Sequence, residues 1–185
     1  MSYHTLTRYR LNIQQYHRMI ETGVIPADSR VELIDGEVIH MSPKDSRHAA
    51  CINKVSEWLG PLVTAAGLHL RIQDPIHLSS SSEPEPDLVL VRRRADFYTD
   101  AHPQPGDVLL LIEVADTSLA YDREVKGAMY ATAGIDPYWI VNLREGMIEV
   151  YSSPTDGRYK QRRYFLADEH LPILGTDTPV ADWLI

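Results

Sequence analysis

Cysteine is nearly absent from this sequence, since the 185 residues include only Cys51. A lone cysteine cannot form an intramolecular disulfide, and the common structural zinc sites need more than one. Cys51 lies in the stretch HAACINKVSEWL, whose spacing places it on the apolar face of a helix, so we expect a buried structural thiol. Such a chain suits a reducing cytoplasm.

Long apolar runs are missing too. The opening stretch MSYHTLTRYRLNIQQYHRMI is polar throughout, and no later segment approaches the ~18 consecutive apolar residues of a membrane-spanning helix. We therefore expect neither export nor membrane insertion, and a cytoplasmic location. Glycine-rich phosphate loops, nucleotide-binding fingerprints and internal repeats are also absent from the sequence, so no nucleotide cofactor is indicated.

Positive charge is in the minority, because 18 Lys and Arg residues face 26 Asp and Glu residues, for a formal net charge of -8. Such a surface disfavours polyanions at long range, and any contact with nucleic acid would have to use local basic patches. The candidates are the run Arg92, Arg93 and Arg94, and the set Arg158, Lys160, Arg162 and Arg163. The simpler interpretation of both is a solvated strand or loop edge.

The chain is long enough for one domain with a hydrophobic core. We expect a single domain over residues 1–185, with an N-terminal helix and hairpin at 10–41, a core at 45–151 and a C-terminal extension at 152–185. Apolar spacing and end signals predict helices near 12–22, 46–66 and 118–133. Strands are predicted near 31–34, 37–41, 68–73, 88–91, 107–115, 137–142, 147–152 and 160–165.

This mixture of helices and strands predicts an α/β fold with a central mixed β-sheet flanked by helices. Within it, Asp35-Gly36 is a strong hairpin signal, and the run SSSSEPEPD is typical of an exposed loop. Ser118 is a candidate N-cap for the third helix, whose apolar face would consist of Leu119, Val125, Met129 and Ala133.

Two buried-looking strands each carry one acid. Glu113 interrupts the apolar run LLLIEVA, and period-two alternation places it on the face of Leu109 and Leu111. Asp87 directly follows Pro86 at the start of the other strand. A buried carboxylate costs several kcal/mol unless it is paired, protonated or bound to a metal. If the strands are neighbours, the two acids converge and suit a hard divalent ion.

The third helix carries a polar stripe, because Asp122, Lys126 and Tyr130 are spaced four residues apart. Taken alone, the stripe fits an exposed Asp122–Lys126 ion pair equally well, and such a pair contributes a few tenths of a kcal/mol.

Four motifs in order resemble the Uma-type family of restriction-endonuclease-like proteins with PD-(D/E)XK folds. They are ELIDGEVIHMSP, RHA, EPDLVLV and IEVADTSLAYDREVKGAMYATAGIDPYWIVN, and the resemblance runs from about residue 10 to 151. The general nuclease pattern expects a lysine two residues after the second acid, where this sequence has Ala115. The family resemblance implies that this lysine lies on the following helix, and Lys126 matches that position.

The resemblance implies a metal-dependent endonuclease that hydrolyses phosphodiester bonds, with DNA as its partner. Asp87 and Glu113 would hold Mg²⁺ or Mn²⁺, with the Val114 backbone carbonyl as a further ligand, and Lys126 would assist the chemistry. Glu32, in VELIDGE, matches another family acid that completes the site. Without the resemblance Glu32 would be interpreted as an exposed strand residue.

Other residues carry less weight. His48, in RHA, is placed at a helix start, where structural or solvated roles are commoner. Glu83 and Glu85 suggest surface-loop acids more than ligands of a second metal, and Tyr130 fits a packing role as well as a hydrogen bond within the site.

Two alternative functions stay open. One is a nuclease-fold module with weak or absent chemistry that binds nucleic acid or serves assembly, and the other is a phosphoesterase for small substrates. The family resemblance also implies a homodimer, since many nucleases of this fold pair two sites. The tail LPILGTDTPVADWLI is apolar enough to pack on the core or on another subunit.

Overall fold

The computed structural model describes residues 7–41 and 45–185. Its centre is a six-stranded sheet in the order β3-β4-β5-β6-β7-β8. The strands are β3 (Leu68–Ile72), β4 (Leu88–Arg92), β5 (Val108–Ala115), β6 (Tyr138–Asn142), β7 (Met147–Thr155) and β8 (Arg158–Leu166). Strands β5 and β6 are parallel and the other neighbouring pairs are antiparallel, which confirms the predicted mixed sheet.

Helix α2 (Ser46–Ala65) covers one face of this sheet, and its buried residues pack with the side chains of that face. Asp45 caps it by accepting a hydrogen bond from the His48 amide. None of the helices in the described ranges is long and apolar enough to cross a lipid bilayer. Cys51 is fully buried in this layer, as the sequence predicts, and burial raises the pKa of its thiol to about 12.

The opposite face is covered by a helical segment with an irregular centre. It consists of α3 (Leu119–Tyr121), a π-turn (Asp122–Lys126) and α4 (Gly127–Thr132). The helix predicted near 118–133 is confirmed as a continuous helical segment, but the sequence does not predict its π-turn, in which the Gly127 amide donates to the Asp122 carbonyl five residues back. Ser118 precedes the first turn but makes no capping hydrogen bond with its side chain.

The buried stripe of this segment also differs from the expectation. Val125 is 42% exposed, while Asp122 and Lys126 are 3% and 7% exposed. The predicted apolar face is therefore right for Leu119, Met129 and Ala133, which pack on the core, but wrong for Val125. The alternative of an exposed Asp122–Lys126 pair is also wrong. Tyr130 is fully buried on the same side as Lys126.

The N-terminal part forms a small unit beside the sheet. Helix α1 (Ile13–Glu21) begins at the predicted cap Asn12, which exchanges hydrogen bonds with Gln15 in a capping box. The hairpin of β1 (Val31–Ile34) and β2 (Glu37–His40) turns at Asp35-Gly36 as predicted. Both turn residues have positive φ, and a Cβ at Gly36 would lie 2.7 Å from the Arg10 Cβ, so only glycine fits there.

The serine- and proline-rich run between β3 and β4 is less exposed than predicted. Its first part lies at the surface, but its second part, from Ser82 to Pro86, is buried except for the half-buried Glu85. The Glu83 amide donates to the Leu33 carbonyl of β1, and the Glu83 carboxylate contacts His17 of α1. This run therefore connects the N-terminal unit to the strand that begins after Asp87.

The C-terminal tail packs on the core of its own chain. Strands β9 (His170–Ile173) and β10 (Thr176–Pro179) form a second hairpin, followed by a 3-10 turn (Val180–Asp182). Trp183 is 1% exposed and packs with Trp58 and Trp139, and its carbonyl lies 3.3 Å from the Cys51 thiol. The sequence alone leaves this packing open.

Truncating Trp183 should unfold the chain more easily. We expect Trp183→Ala to lower the free energy of unfolding by about 3–5 kcal/mol, because it removes a buried indole from the α2 layer. Tyr164→Ala is the matched control, since Tyr164 is 48% exposed and its loss should cost less than about 1 kcal/mol. Urea denaturation measures both, and equal effects would contradict the burial of the tail.

Candidate active site

Asp87 and Glu113 meet at one end of the sheet. In the β4–β5 ladder Leu88 faces Ile112, so one further step of this antiparallel register places Asp87 opposite Glu113. The Asp87 amide lies 3.3 Å from Glu113 Oε2 and donates to it. The structure therefore makes β4 and β5 neighbours and brings the two predicted acids together.

Asp87 is held in place on both carboxylate oxygens. Gln73 Nε2 donates to Oδ1 at 3.0 Å, while Oδ2 accepts from the Val114 amide at 2.9 Å and lies 3.0 Å from His48 Nε2. Burial alone would raise the pKa of Asp87, but the bonds from His48 and Val114 outweigh it and the pKa is lowered. Asp87 is thus a carboxylate of fixed orientation.

Lys126 reaches the acids from the π-turn. Its Nζ lies 2.9 Å from Glu113 Oε1 and 3.5 Å from Glu32 Oε2. The Tyr130 hydroxyl donates to the same Glu113 oxygen at 2.7 Å. Burial lowers the pKa of Lys126, but Glu113, Glu32 and Asp122 more than compensate and raise it, so the amine is an ammonium ion. The four side chains that the sequence analysis assigns to the site therefore line one cavity, namely Glu32, Asp87, Glu113 and Lys126.

Asp122 is a further buried acid of the site. It lies at the start of the π-turn, and Ser118 Oγ donates to its Oδ2 at 2.6 Å. Sequence spacing relates Asp122 to Lys126 but does not indicate that both side chains are buried. That difference comes from the packing of the π-turn on the sheet.

The site contains more buried negative charge than positive charge. Glu32, Asp87, Glu113 and Asp122 are each less than a tenth exposed, and Lys126 is the ammonium placed among them. Burial raises the pKa of Glu113 and of Asp122, and the charge of Lys126 opposes this rise at both acids. Excess carboxylate in a low-dielectric site favours uptake of a cation or a proton.

These side chains open into a cavity of about 410 Å³. Its lining adds both charged and polar groups to the cluster, namely Arg30, His40, Asp45, Glu85, Asp116, Thr117 and Tyr121. The Glu85 amide donates to Glu32 Oε2 at 3.2 Å, which orients that acid from the loop before β4. The cavity is large enough for part of a substrate beside the acids.

The donor set suits a hard divalent ion. Mg²⁺ is usually bound through one or two carboxylates and keeps several waters or substrate oxygens, so Asp87 and Glu113 are the residues that could hold it. Over residues 7–41 and 45–185, no three His, Cys, Asp or Glu side chains are grouped as a ready-made metal cage. Val114 lines the cavity, and its carbonyl as a ligand stays a prediction.

The structure also shows where His48, Glu83 and Glu85 lie, the residues to which the sequence assigns no clear site role. His48 contacts Asp87 directly, and its pKa is raised because Asp87 outweighs the effect of burial. Glu83 is buried against His17 and is not the surface-loop acid that the sequence predicts. Glu85 is half-buried and lines the cavity. No pattern in the sequence indicates that Gln73 belongs to the site, although its side chain donates to Asp87 and orients it.

The basic patches are largely engaged within the chain. Arg162 contacts Glu149 and lies over the ring of Tyr164, and Arg163 lies over Phe165. Arg94 pairs with Asp96. These contacts favour the simpler interpretation of both patches.

Comparisons with known proteins agree with this geometry. A family model described as "Uma2: Putative restriction endonuclease" matches residues 13–180 and confirms the resemblance carried by the four motifs. A crystal structure described as "a putative nuclease belonging to DUF820 from Anabaena variabilis" matches with a TM-score of 0.70. It shares 12% sequence identity, and the match covers 94% of this chain and 97% of that chain, which confirms the predicted fold class.

No curated protein matches the chain.

Removing the ammonium should destabilise the folded protein. We expect Lys126→Met to lower the free energy of unfolding by about 3–5 kcal/mol, because buried carboxylates lose their counter-charge. Lys54→Met is the matched control on helix α2, where an exposed lysine donates to the carbonyls of Ala181 and Leu184. Urea denaturation without divalent ions measures both, and a Lys126 variant as stable as the Lys54 variant would contradict the charge imbalance.

Proposed function

Because the chain belongs to the Uma2 restriction-endonuclease family, we propose that it is a divalent-metal-dependent endonuclease that hydrolyses phosphodiester bonds in DNA. The observation that carries the proposal is the contact of Lys126 with Glu113 and Glu32 beside Asp87. This contact brings together the acids and the amine that a nuclease site needs, although position 115, where the general nuclease pattern has its lysine, is an alanine.

The metal-binding part of the proposal rests on Asp87 and Glu113. These two carboxylates, with the Val114 carbonyl, would hold Mg²⁺ or Mn²⁺ at the end of β5. When bound, the ion supplies polarisation of the phosphate and a lowered pKa of a coordinated water. Gln73 and His48 hold Asp87 in one orientation, so Asp87 would lose little conformational freedom when a metal ion binds.

Lys126 would act on the substrate side of the acids. Its ammonium stabilises negative charge that develops on the phosphoryl oxygens, which is the interaction that lowers the barrier most in such transfers. Glu32 and Glu113 direct the ammonium by contacting it from two sides. Tyr130 fixes Glu113 through its hydroxyl.

A phosphoesterase for small substrates is the second candidate function. The acids Asp45, Glu85 and Asp116 also line the cavity, and the chain carries a net charge of -8, which disfavours a long polyanion. A small phosphate ester presents less negative charge to this rim.

The proposed nuclease function includes a homodimer, because cleavage of both DNA strands calls for two active sites.

Nicking of supercoiled plasmid in Mg²⁺, Mn²⁺ or EDTA tests the nuclease function. We expect metal-dependent cutting by wild type and at least a ~100-fold slower rate for Asp87→Asn and for Lys126→Arg. Lys126→Arg keeps the positive charge and with it the fold, while its planar head cannot replace the ammonium geometry. Lys54→Met should cut at the wild-type rate.

Each outcome of this assay has a meaning. Cutting that survives Lys126→Arg and Lys126→Met would discard the lysine assignment and keep the acids. Folded wild type that cuts neither plasmid, linear or single-stranded DNA nor RNA, but hydrolyses bis(p-nitrophenyl) phosphate, would favour the second candidate. Salt-sensitive DNA binding without any hydrolysis would favour a binding module.

Metal binding is measured separately from cutting. At an Mn²⁺ concentration about 100 times the dissociation constant, wild type should gain about 2.7 kcal/mol of stability, seen as a higher melting temperature. The double variant Asp87→Ala, Glu113→Ala should gain none of it. Equal affinities of the two proteins in calorimetric titrations would rule out the proposed ligands.

A further inference from the structure

A second buried carboxylate lies near the site without belonging to its cavity. Glu149 of β7 is completely buried. The sheet register aligns Glu113 with Ile140 and Ile140 with Glu149, so the two acids occupy one row across three strands. Two strand spacings correspond to about 10 Å, which is too far for direct contact with the acids of the site.

Glu149 is surrounded by donors from four places in the chain. Arg123 Nε lies 3.1 Å from both carboxylate oxygens, and a terminal nitrogen of Arg123 contacts Oε1. Asn142 Nδ2 donates to Oε1 at 2.8 Å, while Tyr151 and Arg162 each donate to Oε2 at 2.6 Å. Every oxygen of this acid is therefore engaged.

These partners keep Glu149 ionised. Burial alone would raise its pKa, but the hydrogen bonds from Arg123, Tyr151 and Asn142, with the charge of Arg162, lower the pKa to about 2. Glu149 is thus a permanent anion at neutral pH. The guanidinium groups of Arg123 and Arg162 compensate the negative charge of Glu149. Around Lys126, by contrast, the acids outnumber the cations.

The important partner is Arg123, because it belongs to the π-turn between Asp122 and Lys126. A π-turn is an uncommon backbone arrangement that is frequently found at functional sites. The planar guanidinium binds the carboxylate in a defined geometry, so it fixes the turn relative to β7. A shift of this turn would move Lys126 directly.

We propose that Glu149 is a positioning residue of the active site, which acts through Arg123 to hold the π-turn so that Lys126 contacts Glu113. The catalytic part of this inference rests on the proposed nuclease function. The placement of Lys126 can be measured without it. A buried ion cluster contributes little to stability compared with well-packed apolar groups, so orientation is the effect to test.

The test compares Glu149→Gln with Glu145→Gln. Both acids contact Arg123, but Glu145 is exposed and lies 3.5 Å away, which makes it the matched control. Lys126 is 7% exposed, so reaction with an amine-acetylating reagent, followed by mass spectrometry, reports its placement. We expect about 10-fold faster labelling of Lys126 in Glu149→Gln, with Lys54 and Lys160 unchanged.

Plasmid nicking gives the second measurement. A misplaced amine should lower kcat about 10- to 100-fold and leave KM for DNA within about twofold, since the acids and the cavity rim stay in place. Rates are expressed per folded molecule, so a loss of stability alone does not lower them. Arg123→Lys, which keeps the charge but not the forked contact, is the second variant if Glu149→Gln does not fold.

Unchanged labelling of Lys126 in these variants would overturn the inference, as would a wild-type kcat alongside faster labelling. Faster labelling of all lysines would show general loosening and overturn it too. If wild type cuts no DNA, selective labelling of Lys126 still supports the positioning role while the nuclease proposal fails. The two failures are therefore distinguishable.

Discussion

The structure depends on one electrostatic problem, which is the burial of several carboxylates around a single ammonium ion. Carboxylates lose strong hydration when they leave water, and here each one is compensated by an arranged set of donors. Asp87 is held by Gln73, Val114 and His48, and Glu113 by Lys126 and Tyr130. These donors come from the sheet and from helices on both of its faces, so the site exists only when the layers are assembled.

The sheet explains why the acids can be placed so closely. An antiparallel pair puts residues on neighbouring strands directly opposite each other, and the rigid ladder fixes their separation. The Asp87 amide donates to Glu113, and the Val114 amide donates to Asp87, so each strand contributes a backbone donor to the other strand's acid. Backbone donors cannot change rotamer, and a site built on them keeps its shape before any ligand arrives.

Local signals in the sequence predict most of the fold. The Asn12 cap, the Asp35-Gly36 hairpin and the apolar runs of β4 and β5 are short-range patterns, and the structure agrees with them. The acids of these strands are recognisable because a charge buried in an apolar strand is costly unless a partner or a ligand compensates it. Lys126 and Glu32 need the family resemblance, since spacing alone does not distinguish either from an exposed residue.

The sequence predicts the remaining features poorly because they depend on tertiary contacts. A π-turn has no short-range signature, and within residues 118–133 the structure exposes Val125 and buries Lys126, against the expectation. The buried end of the serine- and proline-rich run has loop composition but is covered by β1 and α1. Gln73 joins the site through strand pairing that no pattern around it indicates.

Supplying the amine from a helix has a consequence for how such a site can diversify. An amine two residues along the same strand would be fixed to its acid by the strand repeat of about 6.6 Å. Here Ala115 occupies that position within the apolar core, and the amine comes from a separately packed segment. Substitutions in the residues that support this segment can change the position of the Lys126 amine while Asp87 and Glu113 stay in place. The lysine and the acid pair can therefore change independently in evolution.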